Sequence, residues 1–228
     1  MAPSSTTLVI TTSSGIGASV AQRLRDRGDQ VVQNDSALDL TDAVAVGEEL
    51  QSLAHGRVID RVVLAVIDPS AVRALPICSL SESEWDQTAE YPMRAAFVAL
   101  QQVHSVIADG GRVILILPTV VATGVSGLVP LCSAVEAIRV MAKAVARRWG
   151  ARSITVNAIE VELSAFLLGD DDPDGVELPA VPVLGQPSLP PCSAIDDVLG
   201  LVDMLATPEA GAITGALLVA DRGTVMQP

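Results

Sequence analysis

The chain has few of the side chains that usually perform chemistry. Aromatics make up 2% of its 228 residues, with one tyrosine, Tyr91, and one lysine, Lys143. Histidine occurs twice, as His55 in a polar turn and His104 on a helix, and each stands alone. The three cysteines, Cys78, Cys132 and Cys192, are far apart, and no CxxC or Cys/His cluster suggests a metal site. No apolar run reaches the roughly 18 residues that span a bilayer. The start, "MAPSSTTLVITT", has no basic segment ahead of an apolar one, so no secretory signal is read there and a cytoplasmic location is expected. Cations are scarce too. Fourteen Lys and Arg against 27 Asp and Glu leave a net charge of −13, which repels phosphate backbones and argues against nucleic acid as a partner.

What is abundant is small and branched. Half the residues are hydrophobic, and Ala, Val and Leu dominate them. Such a composition suits parallel sheets buried on both faces. Leu8 to Thr11 is an apolar, β-branched run, followed by "SSGIG", a helical pattern through Val20, Ala21 and Leu24, and Gly28 where a helix should end. "QVVQND" reads as a second strand, which completes a βαβ unit. "DLTD" follows almost at once, with Thr41 as the expected N-cap of a helix ending near His55.

Further on, "VIDRVVLAVI", "RVILILP", "SITVNAIEVE" and "GALLVADRG" read as strands. The segments between them read as helices, the first with Ser81 and Glu84 at capping-box spacing. Alternation throughout predicts an α/β fold with one doubly wound, mostly parallel sheet, and a single domain over residues 1–228. Residues 162–193, with "GDDDPDG" and six prolines, are expected to be an irregular loop.

These pieces together resemble the short-chain dehydrogenase/reductases over nearly the whole chain. "SSGIG" resembles the end of that family's Gly-rich turn, "DLTD" its adenine-side acidic pair, and "EWDQTAEYPMRAAFVALQQV" its central interface helix. "GGRVILI", "AKAVARRWGARSITVNAI" and "ITGALLVADRG" resemble its later strands and catalytic helix. The resemblance implies a Rossmann-like fold and nicotinamide-dependent hydride transfer, assisted by a Tyr, a Lys one turn later, a Ser and an Asn.

Here those positions fall on Leu131, Val135, Pro118 and, near the Asn, Pro92. All four side chains are non-ionisable. Tyr91 lies in a different helix from Leu131, and Lys143 lies eight residues past Val135, so neither rebuilds a pair one turn apart on one face.

The dinucleotide site looks reduced as well. Ile10 and Thr11 stand where the family's turn begins Thr-Gly, and Leu64 to Ile67 replace a polar Asn-Asn-Ala-Gly. Ser14, Gly15, Ile16, Gly17 and Asp39 remain as vestigial cofactor-binding positions, although Gly15 and Gly17 also serve the tight strand-to-helix turn. The expectation is therefore that this chain binds no cofactor and that NAD(P) sits in a partner subunit.

The helices at 92–108 and 131–149 are apolar over most of their circumference, so each needs a second cover beyond the sheet. In the resembled family these helices build the dimer interface. The expected function is a catalytically inactive subunit that pairs with an active homologue in a heteromeric, α2β2-type oxidoreductase, of the kind that acts on hydroxyacyl or oxoacyl thioesters. Homo-oligomerisation through the same helices is the other assembly expected. Two other functions stay open: a cofactor-independent lyase or cyclase using Glu160, Glu162 or Asp68, and a nucleotide-sensing regulator.

Overall fold

The computed structural model describes residues 6–12, 15–121, 124–169, 187–190 and 193–226. Six strands form β1 (Thr6–Thr11), β2 (Gln30–Gln33), β3 (Ile59–Ala65), β4 (Ile107–Pro118), β5 (Thr155–Val161) and β6 (Leu217–Ala220). They make one sheet in the order β2-β1-β3-β4-β5-β6, and every neighbouring pair is parallel. All of β1 and β5 is buried, as β-branched strands covered on both faces require.

The long helices are α1 (Ile16–Asp26), α2 (Ala43–Ala54), α4 (Tyr91–Val106), α5 (Val129–Trp149) and α7 (Ala194–Ala206), with short α3 (Glu82–Trp85) and α6 (Leu163–Leu168). Helix α1 packs beside α7, while α2, α4 and α5 pack side by side. The result is the expected single α/β domain. No helix among the described residues is long and apolar enough to cross a membrane.

Local chemistry sets the helix boundaries. Ser81 and Glu84 form the predicted capping box of α3, and a π-helical turn, Asp86–Glu90, joins α3 to α4. The N-cap of α2 is Asp42, not Thr41: its carboxylate accepts from Val44 N and Ala45 N. The Thr41 hydroxyl instead donates to Asp39 Oδ1 at 2.7 Å, because a carboxylate accepts more strongly than a hydroxyl at the helix start. The stretch expected to be irregular from 162 begins with α6, capped by Glu162 and ended by Gly169 at φ 61°. Most of its remainder, including the run at 170–174, lies outside the described residues.

Candidate functional site

The chain leaves β1 for β2 on one side and returns to β3 on the other. At such a reversal the strand ends splay and leave a crevice, which is where ligands of open α/β sheets bind. The loops after β1, β2 and β3, together with the start of α4, line a cavity of about 480 Å³ there. Thr12, Ser36, Asp39, Asp68, Arg73 and Tyr91 are among its polar lining residues. Asp39 is held by both the hydroxyl and the N–H of Thr41, and these bonds keep its carboxyl below the ordinary range. Asp68 accepts from Ser70 N at 2.8 Å.

The glycine turn is tightly packed. A methyl group on Gly17 would clash with Thr11 Oγ1 and stand 2.7 Å from Ala65 Cβ, so the glycine lets α1 press onto β1 and β3. Gly15 takes φ 78°, a left-handed value. A methyl there would stand 2.9 Å from Phe166 O and 3.4 Å from Leu167 O. Helix α6 therefore lies directly against the turn. Ile16 is buried in the core, and Ser14 lies outside the described residues.

Of the four positions where hydride chemistry is expected, Pro92 lines the same cavity, and Leu131, Val135 and Pro118 are not among its lining residues. Leu131 is 1% exposed and Val135 0%, and Pro118 and Pro92 are buried too. Cys132 beside them hydrogen-bonds to Val120 O at 3.4 Å, and burial pushes its thiol up, which leaves it a poor nucleophile. The Thr119 hydroxyl is buried with no hydrogen-bond partner among the described residues.

The three acids considered for cofactor-independent catalysis hold separate posts. Glu162 caps α6, and Asp68 caps the 3-10 turn Pro69–Ala71. Glu160 is 1% exposed, with Arg139 Nε 3.5 Å from its Oε1 and no hydrogen bond to either oxygen among the described residues. Burial raises its carboxyl to about 7, against the pull of Arg139. Of the three, only Asp68 lines the cavity.

A family model described as enoyl-(acyl carrier protein) reductase matches residues 52–225. The chain belongs to the short-chain dehydrogenase/reductase family. A Thauera aromatica relative, (2S)-[(R)-hydroxy(phenyl)methyl]succinyl-CoA dehydrogenase subunit BbsD, is 27% identical over 92% of both chains. Among solved structures, a double variant of a Serratia marcescens short-chain dehydrogenase/reductase superposes with TM-score 0.75, at 26% identity over 97% of each chain. A Burkholderia cenocepacia short-chain dehydrogenase in complex with NADP superposes with TM-score 0.74, at 25% identity over 96% of each chain.

The last comparison corrects the expectation that no cofactor belongs to this chain: a family member alike over nearly its whole length carries NADP. The physical reason is that replacing single polar contacts does not remove the crevice, which the topology itself creates. The fit to a dinucleotide is divided. The cavity offers a polar rim that a dinucleotide could use, whereas α6 stands over Gly15 and the side chains at Leu131, Val135 and Pro118 are buried and apolar. Sequence reasoning missed the placement of α6, the burial of Glu160 and the two hydrogen bonds of Asn34 to the Thr11 backbone.

Proposed function

We propose that the chain is a subunit of a heteromeric short-chain dehydrogenase: it holds a nicotinamide dinucleotide in its own crevice, performs no hydride transfer itself, and pairs with an intact homologue. The observation that carries this reading is the buried pair Leu131 and Val135. A hydride step needs a proton donor and a cation to tune it, and these side chains can be neither. The uncovered helix faces support the pairing. Phe97 of α4 is 54% exposed and Val140 of α5 60%, and an apolar groove lined by Leu100, Met141, Val145 and Trp149 runs between the two helices. That the Thauera relative is itself a dehydrogenase subunit is consistent with it. The compartment implied is the cytoplasm, and thioesters are the substrate class proposed for the assembly.

The test is co-expression with a homologue that retains Tyr-x-x-x-Lys. One stoichiometric complex is expected, with the present chain inactive alone and nucleotide bound by both subunits in calorimetry. Turnover by the isolated chain, or two proteins that elute separately, would overturn the proposal. A second reading, a nucleotide sensor, is favoured by the coexistence of an open adenosine side and an inert hydride side. It predicts binding without any obligate partner.

A further inference from the structure

Two arginines stand side by side at the N-terminal margin of the sheet. Arg61 of β3 pairs in register with Arg112 of β4, so both leave neighbouring strands on one face. The same rung continues to Thr7 of β1 and Thr155 of β5, whereas the next rung is Leu8, Val62, Val113 and Val156. Like charges directly opposite one another across strands are destabilising. Acids that could separate them are plentiful in a chain of net charge −13.

The nearest acid is already taken. Asp203 of α7 accepts from both outer nitrogens of Arg27, at 2.6 Å and 2.7 Å. Arg61 Nη1 stands 3.7 Å from Asp203 Oδ1, too far for a hydrogen bond. Its Nη1 and Nε are buried and have no hydrogen-bond partner among the described residues. Arg112 makes no ion pair among the described residues. Its Nη1 donates to Gly110 O and Gly111 O, and its buried Nε has no hydrogen-bond partner among them. Buried donors without acceptors are costly, and more so on a cation. There is room beside them: a methyl on Gly211, in the 3-10 turn Pro208–Ala212 after α7, would meet only Arg112 Nη2, at 3.6 Å. The Arg61 side chain is 16% exposed, so the pair is not sealed from solvent.

We propose that Arg61 and Arg112 form a binding site for a phosphate-class oxyanion, either the free ion or the phosphate group of a larger ligand. The site is separate from the crevice, whose lining residues include neither arginine. The donors select the anion. Each guanidinium is a planar fork that one pair of oxygens fills, and a carboxylate has a single pair. A phosphate group has enough oxygens to meet both forks and enough charge to offset both cations.

The experiment is thermal unfolding and calorimetry of the full chain with inorganic phosphate as the probe. A saturable rise in melting temperature is expected, absent with sodium chloride at equal ionic strength and weaker with acetate. Arg61→Gln and Arg112→Gln are each expected to weaken phosphate binding by about tenfold or more. Gly211→Asp sets a carboxylate beside Arg112 without removing any side chain. It is expected to raise the melting temperature in phosphate-free buffer and to blunt the response to phosphate. Glycerol phosphate separates the two sources: binding tighter than that of inorganic phosphate marks a larger ligand, and weaker binding marks the free ion. A melting temperature that follows ionic strength alone would overturn the site. So would a phosphate Kd left unchanged by Arg61→Gln with Arg112→Gln, or by Gly211→Asp.

Discussion

Asn34 clasps Thr11 with two hydrogen bonds: its Oδ1 accepts from Thr11 N at 2.9 Å and its Nδ2 donates to Thr11 O at 3.0 Å. Both residues are buried. The clasp satisfies the last polar backbone groups of β1 on the side of β2, whose pairing with β1 ends at Val9 and Gln33. It also fixes the residue whose side chain Gly17 is shaped to receive. Asn34→Ala is expected to strand a buried donor and acceptor together and to cost about 2 kcal/mol in urea unfolding. A loss under half a kilocalorie would mean that water replaces the amide there.

Gly17→Ala tests the other half of this contact. The added methyl would meet Thr11 and Ala65, neither of which is the far end of a flexible chain. A loss of about 2–3 kcal/mol is expected, as for other overpacked core sites. Thr11→Gly in the same background should return part of it, which urea midpoints at constant m-value would show. If the second change returns nothing, the clash is not with Thr11.

Glu160 makes stability depend on pH. Its folded carboxyl is raised to about 7, whereas its ordinary value is 4.5. Between those values the folded state holds the extra proton, so stability falls as pH rises from 4.5 to 7 and then levels off. The groups facing it are Arg139, Glu136 and Asp221. Arg139 is shared with Glu136 at 2.5 Å, and Asp221 is committed to Gly223 N and Val225 N. The swing is on the order of 3 kcal/mol. Glu160→Gln should flatten the slope in that window, measured as melting free energy against pH. An unchanged slope would assign it to other groups.

The alternation of strands and helices was readable because each long element carries its own period or its own cap. Leu8 to Thr11, the Ser81–Glu84 box and the run from Pro130 to Trp149 need no knowledge of distant residues. The apolar side chains at Leu131 and Val135 are readable from the sequence, and the resemblance alone gives those positions their expected meaning. What stayed hidden depends on contacts between distant segments. Helix α6 has six residues, too few to show a period, and its signs were only Glu162 at the cap and Gly169 at the end. The buried Glu160 faces Arg139 of the preceding helix α5, whose Nε stands 3.5 Å from its Oε1, a contact that neither segment shows by itself. The clasp at Asn34 pairs residues 23 apart, and one strand pattern does not show the other.

Leu131→Tyr with Val135→Lys puts the two family side chains back one turn apart. No turnover of alcohols or ketones with NAD(P)(H) is expected from the folded fraction. By the resemblance, the substrate-orienting hydroxyl is expected at Pro118 and the relay amide near Pro92, and a proline side chain cannot orient a substrate or pass a proton. Circular dichroism must accompany the rates, since Val135 is fully buried and a lysine there loses its hydration. Steady turnover by the double variant would show that Leu131 and Val135 alone silence the site.

Phe97 and Val140 test the pairing. Both are apolar and more than half exposed, on neighbouring helices that flank one groove. Leaving such side chains in water forfeits roughly 25 cal/mol per Å² that a partner's surface would recover. Glutamate at either position brings a charge into that contact, and removing its hydration is costly. The chain already carries −13, so two added carboxylates also repel an acidic partner. Phe97→Glu with Val140→Glu is therefore expected to abolish co-purification with the homologue and to leave a folded, smaller species in light scattering. Its melting temperature should stay near that of the unassembled wild-type chain, because neither side chain belongs to the core. If the assembly survives both charges at low salt, the partner docks elsewhere and the groove between α4 and α5 is not its seat.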